Sequence, residues 1–166
     1  MSEGPGTRPM VIVGGGKAGG TAAATLRDEG FNGPVVLVSR EPGIPFGRPP
    51  LSKTYLRSEE DLTDWYVRPP DWYEAHDVDL RPDSVVALDP AAHALALGSG
   101  RELAYEKLLI ATGGRNRRLQ LPGPSCHGST TCARLRSATP SSAKPRPDGA
   151  RLWWAWGSSA ARWPLP

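Results

Sequence analysis

The first forty residues alternate short apolar runs with a segment of helical periodicity. Val11–Val13 is an apolar, β-branched run that ends in three glycines, which predicts a buried strand. In Lys17–Glu29 the alanines and Leu26 recur at helical spacing, and Gly30 follows where a helix C-terminus favours glycine. Val35–Val38 is a second apolar run. A strand, a helix and a strand within about thirty residues predict a βαβ unit and a parallel sheet.

Similar but shorter patterns continue to residue 123. Leu51–Leu56 and Pro70–His76 predict two short helices, and Lys107–Ala111 predicts one more buried strand. A small antiparallel piece is predicted from three further apolar runs, which are Val85–Leu88, Ala94–Leu97 and Leu103–Tyr105. The pattern therefore predicts an α/β domain over residues 9–123, with a parallel sheet and a small antiparallel piece.

The composition changes after residue 123. Residues 1–123 carry 14 basic and 16 acidic side chains, whereas residues 124–166 carry six and one. The formal net charge of +3 therefore arises in the tail, where Ser, Thr, Ala, Pro and Arg dominate and no apolar period persists. Such composition is typical of disorder, although disordered tails are usually poor in tryptophan. Because the body is mildly acidic, we expect no nucleic-acid partner.

Several function classes lack their sequence signals. No apolar run reaches the roughly 18 residues of a membrane-spanning helix, so we expect no membrane partner. The first ten residues have no basic and apolar regions of a secretory signal. Cys126 and Cys132 form no disulfide framework, and neither they nor the three histidines have metal-ligand spacing. We therefore expect a cytoplasmic protein without a metal site.

Gly14–Gly19 matches the pattern G-x-G-x-x-G between the first predicted strand and helix. The first glycine permits a tight turn, the second lets the backbone approach a pyrophosphate, and the third lets the helix pack closely on the strand. Glu41 follows about twenty residues later, where a carboxylate accepts hydrogen bonds from a ribose. The pattern predicts a dinucleotide site without separating FAD from NAD. A simple glycine turn and a solvated carboxylate stay open as alternatives.

One family shares several ordered motifs with this chain. Glu41–Lys53 reads E-P-G-I-P-F-G-R-P-P-L-S-K and resembles the run E-x-x-x-P-[YF]-x-R-P-P-L-S-K of the ferredoxin- and rubredoxin-reductase-like, FAD-dependent NAD(P)H oxidoreductases. That family includes reductase components of oxygenases and the apoptosis-inducing factors. Asp83–Pro90 and Leu108–Gly113 match further motifs, followed by Arg117 and then Leu121–Gly123, all in family order.

The resemblance implies a Rossmann-like FAD-binding domain and assigns residues to the cofactor. Glu41 would bind the ribose, Arg48 would supply charge to the phosphates, and Lys53 would stabilise the negative charge of reduced flavin. The glycines at the pyrophosphate would be Gly14, Gly16 and Gly19. The other residues that the resemblance places at FAD are Val85, Val86, Thr112, Gly113 and Arg117, of which the valines would offer backbone groups to the adenine. A surface turn shaped by prolines is the alternative for Arg48 and Lys53.

The absence of a cysteine from Leu51–Arg57 excludes the redox disulfide of glutathione-reductase-like enzymes. The resemblance therefore implies that the flavin passes electrons directly to a ferredoxin or rubredoxin-like partner. No catalytic residue is assigned within this chain. Two other interpretations stay open, a small NAD(P)-binding dehydrogenase-like protein and a non-enzymatic dinucleotide-binding module.

Residues 124–166 depart from the family, whose members continue with a second G-x-G-x-x-G that opens an NAD(P)H domain. We hypothesise a frameshift near codon 124. Tryptophan has one codon, TGG, so a shifted reading of Trp153–Pro164 forces glycines, and permissible codons give G-x-G-x-x-G-x-E. A divergent, disordered tail is the alternative. If the shift is real, we expect an N-terminal FAD-binding portion, with NAD(P)H as donor only to the complete protein, weak FAD binding and little turnover.

Overall fold

A computed structural model describes residues 8–114 of the 166-residue chain. This part contains two α-helices, two 3-10 turns and seven strands. In chain order they are β1 (Met10–Val13), α1 (Lys17–Asp28), β2 (Val35–Ser39), the 3-10 turns Pro49–Ser52 and Leu62–Trp65, α2 (Pro70–Ala75), β3 (Val78–Pro82), β4 (Val85–Asp89), β5 (Ala94–Leu97), β6 (Glu102–Ala104) and β7 (Lys107–Ile110). The predicted βαβ unit is confirmed, because β1 and β2 pair in parallel on either side of α1 in the chain. The predicted disorder of residues 124–166 lies outside the described residues.

The strands form two sheets. The larger sheet is parallel and has the order β3-β2-β1-β7, with Val11 of β1 opposite Val36 of β2 and Leu108 of β7. The smaller sheet is the antiparallel meander β4-β5-β6. Both sheets agree with the prediction of an α/β domain with a small antiparallel piece. Since β1 is an interior strand, the loop that follows it opens at the middle of the parallel sheet.

Both faces of the parallel sheet are covered, which explains why its central strands are continuous apolar runs. One face packs against the meander through Val11, Val36, Val38, Leu95, Leu97, Leu103 and Tyr105. The other face packs against the helices through Ile12, Ala23, Val35, Leu37, Tyr73 and Val78. Consecutive residues of β1 and β2 therefore contribute to opposite cores, as the alternation of side chains along a strand requires.

Helix α1 ends in a glycine cap. Gly30 has a φ of +81°, and its N–H donates to the carbonyl oxygen of Arg27 at 3.0 Å. The N–H of Phe31 donates to the carbonyl oxygen of Leu26 at 2.9 Å. These two bonds define a Schellman motif, in which glycine is favoured because the left-handed conformation strains other residues. The predicted helix end at Gly30 is therefore confirmed.

Three elements differ from the prediction. Strand β3 was not predicted, because only Val78 and Leu80 mark its inward positions and polar residues separate them. The predicted helix Leu51–Leu56 is wrong, since Pro49–Ser52 forms a single 3-10 turn that is followed by further turns. The predicted burial of β7 is also wrong. Within the described chain β7 is an edge strand paired with β1, and it leaves Leu109 and Ile110 45% and 61% exposed.

Candidate dinucleotide site

The carboxyl ends of the four parallel strands share one edge of the sheet. Gly14 follows β1, Glu41 follows β2, Val85 lies just beyond β3, and Thr112 lies just beyond β7. In open α/β sheets, ligands bind outside this edge, where neighbouring loops diverge. The fold therefore brings residues from four separate sequence motifs to one edge.

The glycine loop joins β1 to α1 through a tight turn. Gly14 has a φ of +125°, and its N–H donates to the carbonyl oxygen of Val38 at 2.8 Å. A Cβ at Gly14 would collide with the backbone of Ala111, so the chain after β7 lies directly against the loop. A Cβ at Gly19 would collide with the carbonyl oxygen of Gly14. Both positions need glycine for backbone packing, as the fingerprint predicts.

Gly16 is the N-cap of α1 and has a different environment. It has ordinary extended dihedrals, with a φ of −87° and a ψ of −172°, and no side chain caps the helix there. No acidic residue lies in the first turn of α1. A Cβ at Gly16 would have the Nε of Arg48 as its nearest neighbour, 4.0 Å away. The positive end of the helix dipole thus faces space beside a guanidinium, which favours an anion.

Arg48 reaches this place because the segment before it is held against α1. Phe46 forms a parallel bridge with Gly16 and an antiparallel bridge with Tyr66. The N–H of Val67 donates to the carbonyl oxygen of Pro45 at 2.9 Å. The guanidinium carbon of Arg48 lies 5.5 Å from the centre of the Phe46 ring. Phe46 therefore orients the arginine through a cation–π contact as well as through the backbone.

Glu41 and Arg48 form an ion pair in front of the glycine loop. Nη2 of Arg48 donates to Oε2 of Glu41 at 2.7 Å. Charged groups of opposite sign are thus placed side by side, one suited to phosphate oxygens and the other to ribose hydroxyls. The prediction placed these residues at one cofactor, and the structure brings them into contact.

Lys53 lies at the end of the 3-10 turn Pro49–Ser52, where its N–H donates to the carbonyl oxygen of Pro50 at 2.9 Å. Its side chain is exposed. Leu51 is fully buried and anchors the turn against Phe46. The R-P-P-L-S-K run is therefore one packed unit that carries Arg48 at its start and Lys53 at its end.

Val85 lies before an irregularity in β4, and Val86 lies within it. Val85 opposes Leu97 and packs into the core, whereas the register skips Val86, which is 67% exposed. The bulge removes the Val86 backbone from the regular ladder.

Just before this bulge, the carboxylate of Asp83 accepts a hydrogen bond from the N–H of Ser84 at 2.7 Å. Hydrogen bonds from the Ser99 hydroxyl and from this N–H lower the pKa of Asp83.

The last predicted segment follows β7. Gly113 has a φ of +68°, and a Cβ at Gly14 would lie 3.0 Å from the backbone nitrogen of Thr112. Thr112 and Gly113 are thus adjacent to the glycine loop. Arg117 lies outside the described residues.

Sequence reasoning missed two residues that shape this edge. Gly15 occupies a variable position of the fingerprint, yet a Cβ there would lie 2.5 Å from the Oγ of Ser39. Gly20 lies outside the fingerprint, and a Cβ there would lie 2.5 Å from the Cβ of Pro45. The sequence shows both residues as extra glycines in and next to the fingerprint. Their need for glycine could not be predicted, because Ser39 and Pro45, which they contact, are distant in the sequence.

No group of three or more His, Cys, Asp or Glu side chains within residues 8–114 has the arrangement of a metal site. No helix within the same residues combines the length and apolarity needed to cross a bilayer.

Several known proteins are similar to this chain in sequence. The family described as pyridine nucleotide-disulphide oxidoreductase matches residues 8–152. Rhodocoxin reductase of Rhodococcus erythropolis is 41% identical over 138 residues, which cover 81% of this chain and 32% of that protein. Rubredoxin-NAD(+) reductase of Pseudomonas putida is 39% identical over 120 residues, which cover 72% of this chain and 31% of that protein. The chain thus spans about 30% of the length of these curated relatives.

Solved structures give the same result. The complex of putidaredoxin reductase with putidaredoxin matches with a TM-score of 0.65 at 39% identity, covering 69% of this chain and 28% of that one. A ferredoxin reductase from Rhodopseudomonas palustris matches with a TM-score of 0.64 at 36% identity, covering 70% of this chain and 29% of that one. The α/β fold is therefore shared with part of these reductases.

Proposed function

The chain belongs to the pyridine nucleotide-disulphide oxidoreductase family, and on that premise we propose that residues 9–123 bind FAD as part of an NAD(P)H-dependent flavoprotein reductase. Its relatives include ferredoxin and rubredoxin reductases. One observation carries the proposal: Arg48 lies beside the N-cap Gly16 and is paired with Glu41, so that the glycine loop, a cation and a carboxylate meet at one edge of the sheet.

The residues at this edge fit the adenosine diphosphate half of FAD. At the N-terminus of α1, which lacks a side-chain cap, backbone N–H groups would hold the pyrophosphate. Gly14 and Gly19 let the loop and helix pack closely, and Gly16 leaves room for the phosphates. The Arg48 guanidinium would donate to phosphate oxygens, and the Glu41 carboxylate would accept from the ribose hydroxyls.

The other proposed FAD contacts involve residues that follow the glycine loop in the chain. Val86, at the bulge of β4, would offer backbone groups to the adenine together with Val85. Thr112 and Gly113 would pass close to the cofactor beside Gly14, and Arg117 is proposed for the same site. Lys53 would place its ammonium near the flavin, where it would stabilise the negative charge of the reduced ring.

When bound, FAD would supply the two-electron and one-electron chemistry that joins a nicotinamide donor to a one-electron carrier. For the complete protein we propose NAD(P)H as donor and a ferredoxin or rubredoxin-like protein as acceptor, because relatives that are 43% and 39% identical to this chain are named for ferredoxin and rubredoxin. The reducing cytoplasm is the proposed location.

For the chain of 166 residues by itself we propose weak FAD binding and little or no NAD(P)H oxidation. Its sequence contains one G-x-G-x-x-G pattern, which the FAD proposal already uses. Hydride transfer depends on holding the donor against the flavin, and positioning accounts for much of the rate. Steady oxidation of NADH by the purified, FAD-loaded chain would contradict this statement.

Titration with three ligands tests the proposal. We expect FAD to bind more tightly than FMN, which lacks the adenosine monophosphate half, and more tightly than NAD⁺, which lacks the flavin that Lys53 would meet. Flavin fluorescence for FAD and FMN, and calorimetry for NAD⁺, give the three dissociation constants. Binding of NAD⁺ at least as tight as that of FAD would favour the dehydrogenase-like alternative. Equal affinity for FAD and FMN would exclude recognition by the glycine loop and Glu41.

A further inference from the structure

Ser39 connects the end of β2 to the position of Glu41. It is the last residue of β2, and its Oγ donates to the backbone carbonyl oxygen of Glu41 at 2.7 Å. Such a bond from a serine hydroxyl to the backbone two residues later fixes the direction in which the chain leaves a strand. The backbone that carries the Glu41 carboxylate is therefore held by a side chain.

The same side chain also contacts the glycine loop. A Cβ at Gly15 would lie 2.5 Å from the Oγ of Ser39 and 2.6 Å from its Cβ, so Ser39 occupies the space that any side chain at position 15 would need. This explains why residue 15, between Gly14 and Gly16, is also a glycine. Ser39 thus contacts both the loop proposed for the pyrophosphate and the backbone of the residue proposed for the ribose.

We propose that Ser39 is a positioning residue that holds Glu41 at the distance from the glycine loop which the adenosine ribose requires. This inference rests on the proposed FAD function and deepens it. Arg48 holds the Glu41 carboxylate through its head group, whereas Ser39 holds the Glu41 backbone. Loss of the Ser39 hydroxyl leaves both charges in place. It therefore impairs recognition of the ribose diol without removing the attraction of Arg48 for the phosphates.

The affinity ratio for ADP against 2′,3′-dideoxy-ADP measures this recognition, because the two nucleotides differ only in the ribose hydroxyls. Nuclear magnetic resonance titration of the full 166-residue chain gives both dissociation constants even when binding is weak. We expect the chain to favour ADP by about tenfold, the effect of a hydrogen bond to a charged group. Ser39→Ala brings the ratio close to one, and Ser39→Thr, which keeps a hydroxyl, restores most of it. Thr25→Ala removes an exposed hydroxyl at the other end of α1 and leaves the ratio unchanged.

Each other outcome has a distinct meaning. A Ser39→Ala variant that melts at a lower temperature but keeps the wild-type ratio overturns the positioning role, because Ser39 is then only structural. A Glu41→Gln variant that binds ADP and keeps the wild-type ratio overturns the ribose role of Glu41, and the Ser39 proposal with it. A folded wild-type chain that binds neither nucleotide overturns the proposed FAD function itself.

Discussion

The guanidinium of Arg48 donates a 2.7 Å hydrogen bond to the carboxylate of Glu41. The pair forms because the end of β2 and the segment around Phe46, which is bridged to Gly16, meet beside the glycine loop. The two side chains are 41% and 20% exposed, and such ion pairs add little net stability. The ion pair instead determines position, because it holds a cation and an anion together near the N-terminus of α1.

Substitution of Glu41 by Gln should affect binding more than folding. We expect the free energy of unfolding to change by less than about 1 kcal/mol, because the ion pair is partly exposed. The dissociation constant for FAD should rise about tenfold, because the amide is a weaker acceptor for the ribose hydroxyls. Urea unfolding and FAD titration measure the two effects. Asp28→Asn, which breaks the 2.7 Å pair with Arg68, is the matched control and should leave FAD affinity unchanged.

Substitution of Gly14 by Ala should affect folding. At a φ of +125° a Cβ is strained, and it would collide with the backbone of Ala111. We expect a loss of about 3 kcal/mol in the free energy of unfolding. Gly114→Ala is the control, because Gly114 has no neighbour within 4 Å and no positive φ. Equal stability of the Gly14→Ala and Gly114→Ala variants would show that the loop does not pack against the chain that follows β7.

Alkaline pH should unfold the chain partly through Tyr73. Burial raises the pKa of Tyr73 to about 12, from an ordinary value of 10.0. Between these values the unfolded chain releases the phenol proton while the folded chain keeps it. The Tyr73 contribution to stability is therefore complete below pH 10 and is lost as pH rises to 12, at up to about 1.4 kcal/mol per pH unit. Denaturant titrations at pH 9 to 12 measure the slope. A Tyr73→Phe variant with the same alkaline slope would contradict the assignment.

The edge of β7 should make the chain self-associate. Ile110 is 61% exposed and Leu109 is 45% exposed on a strand that lies at the edge of the sheet formed by residues 8–114. Exposed apolar edges promote pairing between molecules. We expect Ile110→Lys to reduce the apparent mass in light scattering at high concentration. Leu88→Lys is the control, because Leu88 is an exposed residue of β4 in the antiparallel sheet. It should reduce the apparent mass less than Ile110→Lys does if association occurs through the parallel sheet. An unchanged mass for Ile110→Lys would exclude this edge.

The sequence predicted the features that depend on neighbouring residues. Strand β1 was predicted from the apolar run Val11–Val13, the turn after it from the glycine fingerprint, and the end of α1 from Gly30. Strand β3 escaped prediction, since its two inward residues make too short a period. The exposure of β7 was equally hidden, because an apolar run does not show whether a strand is central or at an edge.

In the candidate site, too, local motifs could be predicted from the sequence, whereas contacts between distant segments could not. The fingerprint and family motifs proposed residues for the site, but they did not predict that Arg48 contacts Glu41 or that Ser39 fills the space beside Gly15. Those relationships depend on the approach of segments that are separated in the chain. Only the assembled sheet edge brings them together.

The proposal that the glycine loop binds FAD is tested by calorimetric titration of FAD into the wild-type chain and the Gly16→Ala variant. A Cβ at Gly16 meets no protein atom closer than 4.0 Å, so the variant should melt at the wild-type temperature. The methyl group would nevertheless occupy the space proposed for the phosphates, and we expect FAD affinity to fall at least about tenfold. Equal FAD affinity of the two proteins, or no FAD binding by the folded wild-type chain, would contradict FAD binding at the glycine loop.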